Sequence, residues 1–469
     1  MIEVKELLEI SFEELEKKIF SFICDMGKEI TIYLLQQLDE HLMKNRDRKR
    51  YISKQTRMVT IKTVYGEVEY ARRMYYDREE QRYVYLLDDN MQMERIGSIS
   101  SNLAKRIAEA SIDMSYRKAA STISKTTGQS ISSHGAWNVV QQIGDVIQAE
   151  EKELLRDMKK DETSGTEEAK VIFMEADGVH LHIQKDKKKA PSKELKLSTI
   201  YDGWVCDGKR LHNKKVFAGM EKADIFNQKT EALIQSVYDT SVTELRVVNG
   251  DGASWIKNTY EPDRIFQLDR FHIKQEITRC ISNKHIQRMI FERLHDNKID
   301  EMLEVIKTYI NSIDDGTNES DVKKAKNLFN YLFNNYDGLL PWQLQAGIVP
   351  EAPEGITYKN MGVQENQNCS LVCMRMKGRK MRWSINGANN LAKLIYMKEN
   401  GDLDRIIEKA DGKILIPDEI DLSMDKVLSA DKIKEKVGKG NKWMELIQAT
   451  MPMIKYNGPY ADLLRSLER

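Results

Sequence analysis

Two aspartates stand where an apolar strand would not ordinarily carry a charge. Asp177 lies in "FMEADGVHL" and Asp251 ends "ELRVVNGDG", and a glycine follows each. A carboxylate in such company is costly unless a cation or a set of donors compensates it. The neighbouring glycine leaves room for another backbone or a phosphate to approach. Hard divalent cations such as Mg²⁺ or Mn²⁺ bind through a few carboxylates together with substrate phosphate. Two such ions roughly 3.5–4 Å apart stabilise both the attacking and the leaving oxygen of an in-line phosphoryl displacement. That chemistry asks for a third acid, and Glu365 is the candidate. It opens the helical stretch "QENQNCSLVCMRMK" and precedes the basic residues Arg375, Lys377, Arg379, Lys380 and Arg382, which suit a polyanionic substrate. Each acid has an ordinary alternative: Asp before Gly is commonly a turn residue, and an acid at a helix N-terminus is favoured by the helix dipole.

The elements that would position these acids follow from the patterning. "VIFMEADGVHLHIQ", "KELKLSTIYDGW" and "KKVFAGM" read as three strands in hairpin-like order, a helix is expected around residues 222–238, and "ELRVVNG" and "RIFQLDRF" supply two more strands. Strands first in hairpin order and then linked by a helix indicate an α+β sheet domain. If the first and fourth strands are neighbours, Asp177 and Asp251 meet at one edge of the sheet. Asp202, in "IYDGW", is a rival acid ranked below them, because the second strand should lie away from that junction. Residues 272–345 are helical throughout by pattern and look like an insertion. Residues 364–377 can form a helix, and "GANNLAKLIYM" is helical again.

The N-terminal half has a different texture. Residues 3–45 repeat apolar side chains at threes and fours, which fits two helices serving as a cap or an oligomerisation element. "KNRDRKRYISKQTR", residues 44–57, is strongly basic, and residues 56–87 are rich in Thr, Val, Tyr and Ile around a turn at Tyr65-Gly66, a small antiparallel β unit. In residues 115–144 a helix containing Ala119, Ala120 and Ile123 breaks at Gly128, and another begins near Ser132 or Ser133. Helix, tight turn and helix with a polar start is the helix-turn-helix pattern, in which the start of the second helix reaches base edges. Arg117, Lys118, Ser133, His134 and Asn138 are the candidate DNA contacts. Any αα-hairpin shares this pattern.

With 469 residues, several packed units are expected. A 41% apolar and 31% charged composition, without a run of about 18 apolar residues, is that of a soluble protein with no membrane partner. The acidic, amphipathic N-terminus is unlike a secretory signal, so a cytoplasmic location is expected. The cysteines Cys24, Cys206, Cys280, Cys369 and Cys373 are scattered and odd in number, which fits free thiols. Cys369 and Cys373 lack a second Cys/His pair at zinc-ligand spacing. Net charge is zero, so affinity for nucleic acid must come from local clusters.

The series "EADGVHLH", "NGDGASWI", "LDRFHIKQ" and "GVQEN…RMKGRKMRWSINGANNLAKL" resembles the bacterial ISLre-type insertion-sequence transposases, long filed as an uncharacterised protein family and related to the Mutator-like DDE group. The resemblance runs from "TVYGEVEYARRMYY" to about residue 400. It implies an RNase H-like catalytic domain interrupted by an all-helical insertion, and metal-dependent DNA transposition. Its DDE triad falls on Asp177, Asp251 and Glu365, here as catalytic groups and ligands of a two-metal Mg²⁺ or Mn²⁺ site. Mutator-like enzymes also carry a C/D-x-x-H motif, matched by Asp269, Arg270, Phe271 and His272, which makes His272 a DNA-positioning or acid–base group. Trp255 and Trp383 could stack on a base or simply fill a core.

The expected organisation is multidomain α+β. It comprises a helical segment at 1–50, a small β unit at 51–100, a helix-turn-helix region at 101–165, an RNase H-like core at 166–271, a helical insertion at 272–355, the final acid-bearing helix at 356–400 and a tail at 401–469. The expected activity is a transposase that binds the terminal inverted repeats of its element as double-stranded DNA, works as a homodimer or larger assembly, and cuts and joins DNA. The alternatives are a non-catalytic, domesticated DNA-binding protein and a structure-selective nuclease of the same fold.

Overall fold

A computed structural model of the chain describes residues 11–91, 99–184, 192–205, 208–257, 264–313 and 319–411. The chain is mixed α+β and divides into two compact units. Among the described residues, one is drawn from the ranges 11–111, 115–139 and 407–411, the other from 112–114 and 140–406. Residues 185–191 of the basic hairpin tip, Cys206 and the tail beyond residue 411 lie outside the described residues.

In the first unit Ser11 and Glu14 form a capping box that starts α1 (Phe12–Asn45). This is one helix where two were expected. Gly27 does not break it; it makes room for the ring of Tyr65, which would lie 3.1 Å from a Cβ at that position. The β unit is present as β1 (Tyr51–Thr63), β2 (Gly66–Asp77) and β3 (Arg82–Val84), all antiparallel. Leu35 and Leu38 of α1 pack on Ile61, Val68 and Tyr70, with Leu87 and Met91 of α2 (Leu86–Met91) closing this core. Within the basic run, Arg50 bonds Asp77 through Nη2 at 2.8 Å and reaches Glu79 and Glu80, so it serves the unit's own structure.

Three more helices follow: α3 (Ser101–Asp113), α4 (Tyr116–Thr126) and α5 (Ser133–Lys159). Ser115 caps α4, and Ser132 accepts from the Gly135 N–H at the start of α5. The turn between α4 and α5 docks on the β1–β2 hairpin tip. Gly128 N–H donates to the Val64 carbonyl at 3.0 Å, and a Cβ at Gly128 would stand 2.5 Å from the Tyr65 carbonyl oxygen. Glycine is needed there for the close approach of two backbones.

The second unit is built on β4 (Val171–His182), β5 (Ser192–Tyr201), β6 (Lys215–Gly219), β7 (Leu245–Gly250) and β8 (Ile265–Leu268). Their spatial order is β6-β5-β4-β7-β8. The first three pair antiparallel, whereas β4–β7 and β7–β8 are parallel. The first and fourth strands of the sequence reading are therefore neighbours. Alternation along β4 sorts its residues by face. Ile172, Met174 and Ala176 pack with Ile234 and Tyr238, on and just beyond α6 (Ala223–Val237). Val171 and Phe173 pack with Tyr201, Trp204, Trp342 and Met361, and Glu175 and Asp177 continue that second face.

The segment after β8 is helical among its described residues. It comprises α7 (Arg270–Cys280), α8 (Lys284–His295), α9 (Ile299–Ile313) and α10 (Glu319–Asn334), which share a core of Ile273, Ile277, Ile290, Met302, Ile306 and Leu328. The expected helix over 364–377 is wound in two ways: α11 (Gln364–Gln367) continues as a π-helix over Asn368–Lys377. Then come α12 (Ile385–Glu399) and α13 (Leu403–Asp411). Lys393 of α12 is fully buried and pairs with Glu151 at 2.7 Å and Glu221 at 2.9 Å. Lys229 of α6 pairs with the same two acids.

Candidate active site

Parallel pairing of β4 with β7 sets Asp177, midway along β4, beside the end of β7, where Asp251 follows. Asp251 leaves the strand in a turn: its Oδ1 accepts from Ala253 N–H at 2.9 Å, and Gly252 takes φ +88°, a conformation costly for any residue with a Cβ. The Tyr331 hydroxyl, on α10 of the insertion, donates to the Asp251 carbonyl at 2.8 Å. Burial pushes the Asp251 carboxyl up, against the Ala253 hydrogen bond, and the nearby Asp177 carboxylate adds to the rise.

His272 stands beside Asp177. Its Nε2 lies 3.6 Å from Asp177 Oδ2, an ion-pair distance. Contact with Asp177 raises the imidazole pKa despite partial burial, and Asp269 and Asp251 add to the rise. Asp269 sets the ring's position: its backbone N–H donates to the Gly250 carbonyl at 2.8 Å, and its side chain caps α7 by accepting from Phe271 N–H at 2.7 Å. The D-x-x-H spacing thus fastens the first turn of α7 to the end of β7, one residue before Asp251.

Glu365 lies on α11, and its side chain is exposed. One helical turn later, Asn368 donates to Asp177 Oδ2 at 2.6 Å, so this helix touches the first acid. Burial pushes the Cys373 thiol up, and both Glu365 and Asp177 contribute to that rise. Among the described residues, no group of three or more His, Cys, Asp or Glu is arranged to hold a metal ion. The donors present fit a hard divalent cation in kind: the Asp251 carboxylate, whose charge Asp177 disfavours, Asp177 itself, and Glu365 on the adjoining helix. Cys369 and Cys373 are free thiols.

Of the basic run, Lys377, Lys380 and Arg382 are exposed, whereas Arg375 is buried with its guanidinium 5.3 Å over the Trp383 ring. Trp383 is itself buried and donates to the Met376 carbonyl, so its ring is occupied within the fold. The side chain of Arg379 lies outside the described residues. Trp255 donates to Glu194 at 3.2 Å and meets the Phe226 ring edge-on. Asp202 accepts from His212 and Asn213, away from the paired acids. In the first unit Arg117, Lys118, Ser133, His134 and Asn138 are all exposed.

Three residues of this neighbourhood were not singled out from the sequence. Glu194 of β5 adds to the rise of the Asp251 pKa. Asn368 contacts Asp177, and Glu175 lies two residues before Asp177 on the same face of β4. The available signal was polarity inside elements that should be apolar, which "EAD" and "QENQN" carry alongside the chosen acids.

Similar proteins are found in bacteria. One, from Caldanaerobacter subterraneus subsp. tengcongensis, has a name joining eleven locus designations and is 24% identical over 406 residues, covering 85% of this chain and 80% of its own length. A second from the same organism is 24% identical over 406 residues, at 85% and 81% coverage. A third, from Streptococcus gallolyticus, is 22% identical over 418 residues, at 85% and 86%. A family model described as an uncharacterised protein family, UPF0236, matches residues 5–413. With that span and these relatives, the chain belongs to the UPF0236 family.

Proposed function

We propose that this protein is a DDE transposase with an RNase H-like catalytic unit. The reading rests on one observation above others: the parallel pairing that sets Asp177, midway along β4, beside the end of β7 where Asp251 follows, with His272 3.6 Å from Asp177. The strand order, three antiparallel strands followed by two parallel to the first, and the helical stretch between β8 and Glu365 support the fold part of the reading. Copy number supports the functional part: one relative's name joins eleven locus designations and another joins four, a multiplicity characteristic of mobile elements.

Asp177, Asp251 and Glu365 would hold Mg²⁺ or Mn²⁺. When bound, the ions supply charge neutralisation at the scissile phosphate and lower the pKa of the attacking group. The chain's own groups bind and orient. Exposed Arg117, Lys118, Ser133, His134 and Asn138 would contact the terminal inverted repeats, and exposed Lys377, Lys380 and Arg382 the phosphate backbone. His272, with its pKa raised, can hold a proton on Nε2 beside the reacting phosphate. Water attacks the phosphorus at the element end, the P–O3′ bond breaks, and the 3′-oxygen leaves as a hydroxyl. That hydroxyl then attacks a target phosphodiester, forming one P–O bond as another breaks, without a covalent enzyme intermediate.

Joining two ends calls for more than one copy, and Phe12, Ile19, Phe20 and Ile23 form an exposed apolar stripe on α1 that suits self-association. The test uses purified protein, a labelled DNA carrying the flanking element end, and Mg²⁺ or Mn²⁺. Nicking at the element boundary, followed by covalent joining to target DNA, is expected. Asp251→Asn should lower both by more than about 100-fold, exceeding the usual loss when a residue that only supports a metal ligand is changed. Boundary-specific binding with no cleavage would favour the DNA-binding alternative, and cleavage of branched DNA with no joining would favour the nuclease.

A further inference from the structure

Glu175 is fully buried. A charge withdrawn from water is tolerated only when donors surround it, and here they do. Its Oε1 accepts from the Tyr201 hydroxyl at 2.6 Å and the Gly362 N–H at 2.9 Å. Its Oε2 accepts from the Asn249 amide at 3.2 Å, the Val363 N–H at 2.9 Å and the Gln364 N–H at 3.3 Å. Three of these donors are consecutive backbone groups at the opening of α11, immediately before Glu365.

The network extends in both directions. Gln364 Nε2 donates to Asn368 Oδ1 at 2.9 Å, and Asn368 Nδ2 donates to Asp177 Oδ2 at 2.6 Å. On the other side, Gln267 of β8 donates to Asn249 Oδ1 at 3.1 Å and accepts from the Trp342 N–H at 2.9 Å. Asn249 is the register partner of Glu175 and lies two residues before Asp251. A polar row thus crosses β5, β4, β7 and β8 one layer below the paired carboxylates. Each member's orientation is fixed by its neighbour, because the carboxylate accepts only.

We infer that Glu175 is a positioning residue for the proposed metal centre: it clamps the start of the helix bearing Glu365 onto β4 and, through Gln364 and Asn368, orients Asp177. The inference rests on the metal-centre reading above. A residue serving only stability would change unfolding and leave metal affinity alone. Buried supports of metal ligands instead change metal affinity about 10–100-fold when altered.

The test combines Mn²⁺ titration by calorimetry with amide hydrogen exchange at residues 362–364, on the full chain and its Glu175→Gln, Tyr201→Phe and Asp177→Asn variants. Tyr201→Phe keeps the ring against Phe173 and Trp204 and leaves the Glu175 carboxyl group in place, so it isolates the clamp from loss of the acid itself. Both clamp variants should exchange these amides faster and bind Mn²⁺ more weakly, Glu175→Gln by tenfold or more and Tyr201→Phe by less, with DNA-end binding retained. Should Glu175→Gln fail to fold, Tyr201→Phe decides by the same two readings. Faster exchange with unchanged Mn²⁺ affinity overturns the inference and leaves the metal reading standing. If the unaltered protein binds no Mn²⁺ and Asp177→Asn makes no difference, both fall together.

Discussion

Protons and cations compete for the same groups at this site. Asp251 is raised by burial and by Asp177, and His272 is raised chiefly by contact with Asp177. The sign follows directly. A raised imidazole pKa means that the His272–Asp177 attraction is fully present below about pH 6.5 and is lost as pH rises through the higher folded value. A raised carboxyl pKa means that Asp251 keeps its proton to higher pH. Both effects oppose a divalent cation at low pH, so Mn²⁺ affinity should climb between pH 6 and pH 8, by up to about tenfold per pH unit for each proton released. His272→Gln should flatten that slope, and calorimetric titrations at several pH values measure it. The sequence made these groups legible because aspartates in apolar strands are conspicuous. Glu175, two residues earlier, was passed over because a buried carboxylate used as an acceptor looks the same in sequence as one used as a ligand.

Among the elements, the β strands were the most legible, since period-two alternation and turn residues mark them directly. The helix opened by Glu365 was less so, for "QENQNCSLVCMRMK" has helical composition but its π winding depends on tertiary contacts. The interlocked charges of α5, α6 and α12 were not legible at all, because each Lys or Glu reads as an ordinary surface residue until its partners are known. Burial alone would raise Glu221, but Lys393 and Lys229 more than offset this and hold it at about 2, below its ordinary 4.5. A depressed carboxyl contributes stability that is present above about pH 4.5 and is lost as pH falls through the folded value near 2. Chemical denaturation of the full chain at pH 5 and pH 3 should therefore show reduced stability at the lower pH. Lys393→Met leaves buried Glu151 and partly buried Glu221 with one lysine and should cost about 3–5 kcal/mol. An unchanged denaturation midpoint in that variant would count against the pairing as a stabilising unit.

At the scale of the molecule, α1 bears an exposed row of Phe12, Ile19, Phe20 and Ile23. If this row joins two copies, Phe20→Glu should shift the protein toward monomers in light scattering and suppress joining of paired ends, while nicking of a single end persists. A mass unchanged by the substitution would remove α1 from the assembly. The division of the chain at Val139–Val140, inside α5, has no counterpart in the sequence, where texture changes near Val171, and the long single helix α1 was not legible either, since Gly27 resembles a break until the Tyr65 ring beside it is seen. One further contact has consequences for how such a protein can be shortened. Tyr331, from the far end of the helical insertion, holds the carbonyl of Asp251. The insertion is thus a buttress whose removal would loosen the turn that presents the acid, so a streamlined version lacking these helices would need another support for that turn.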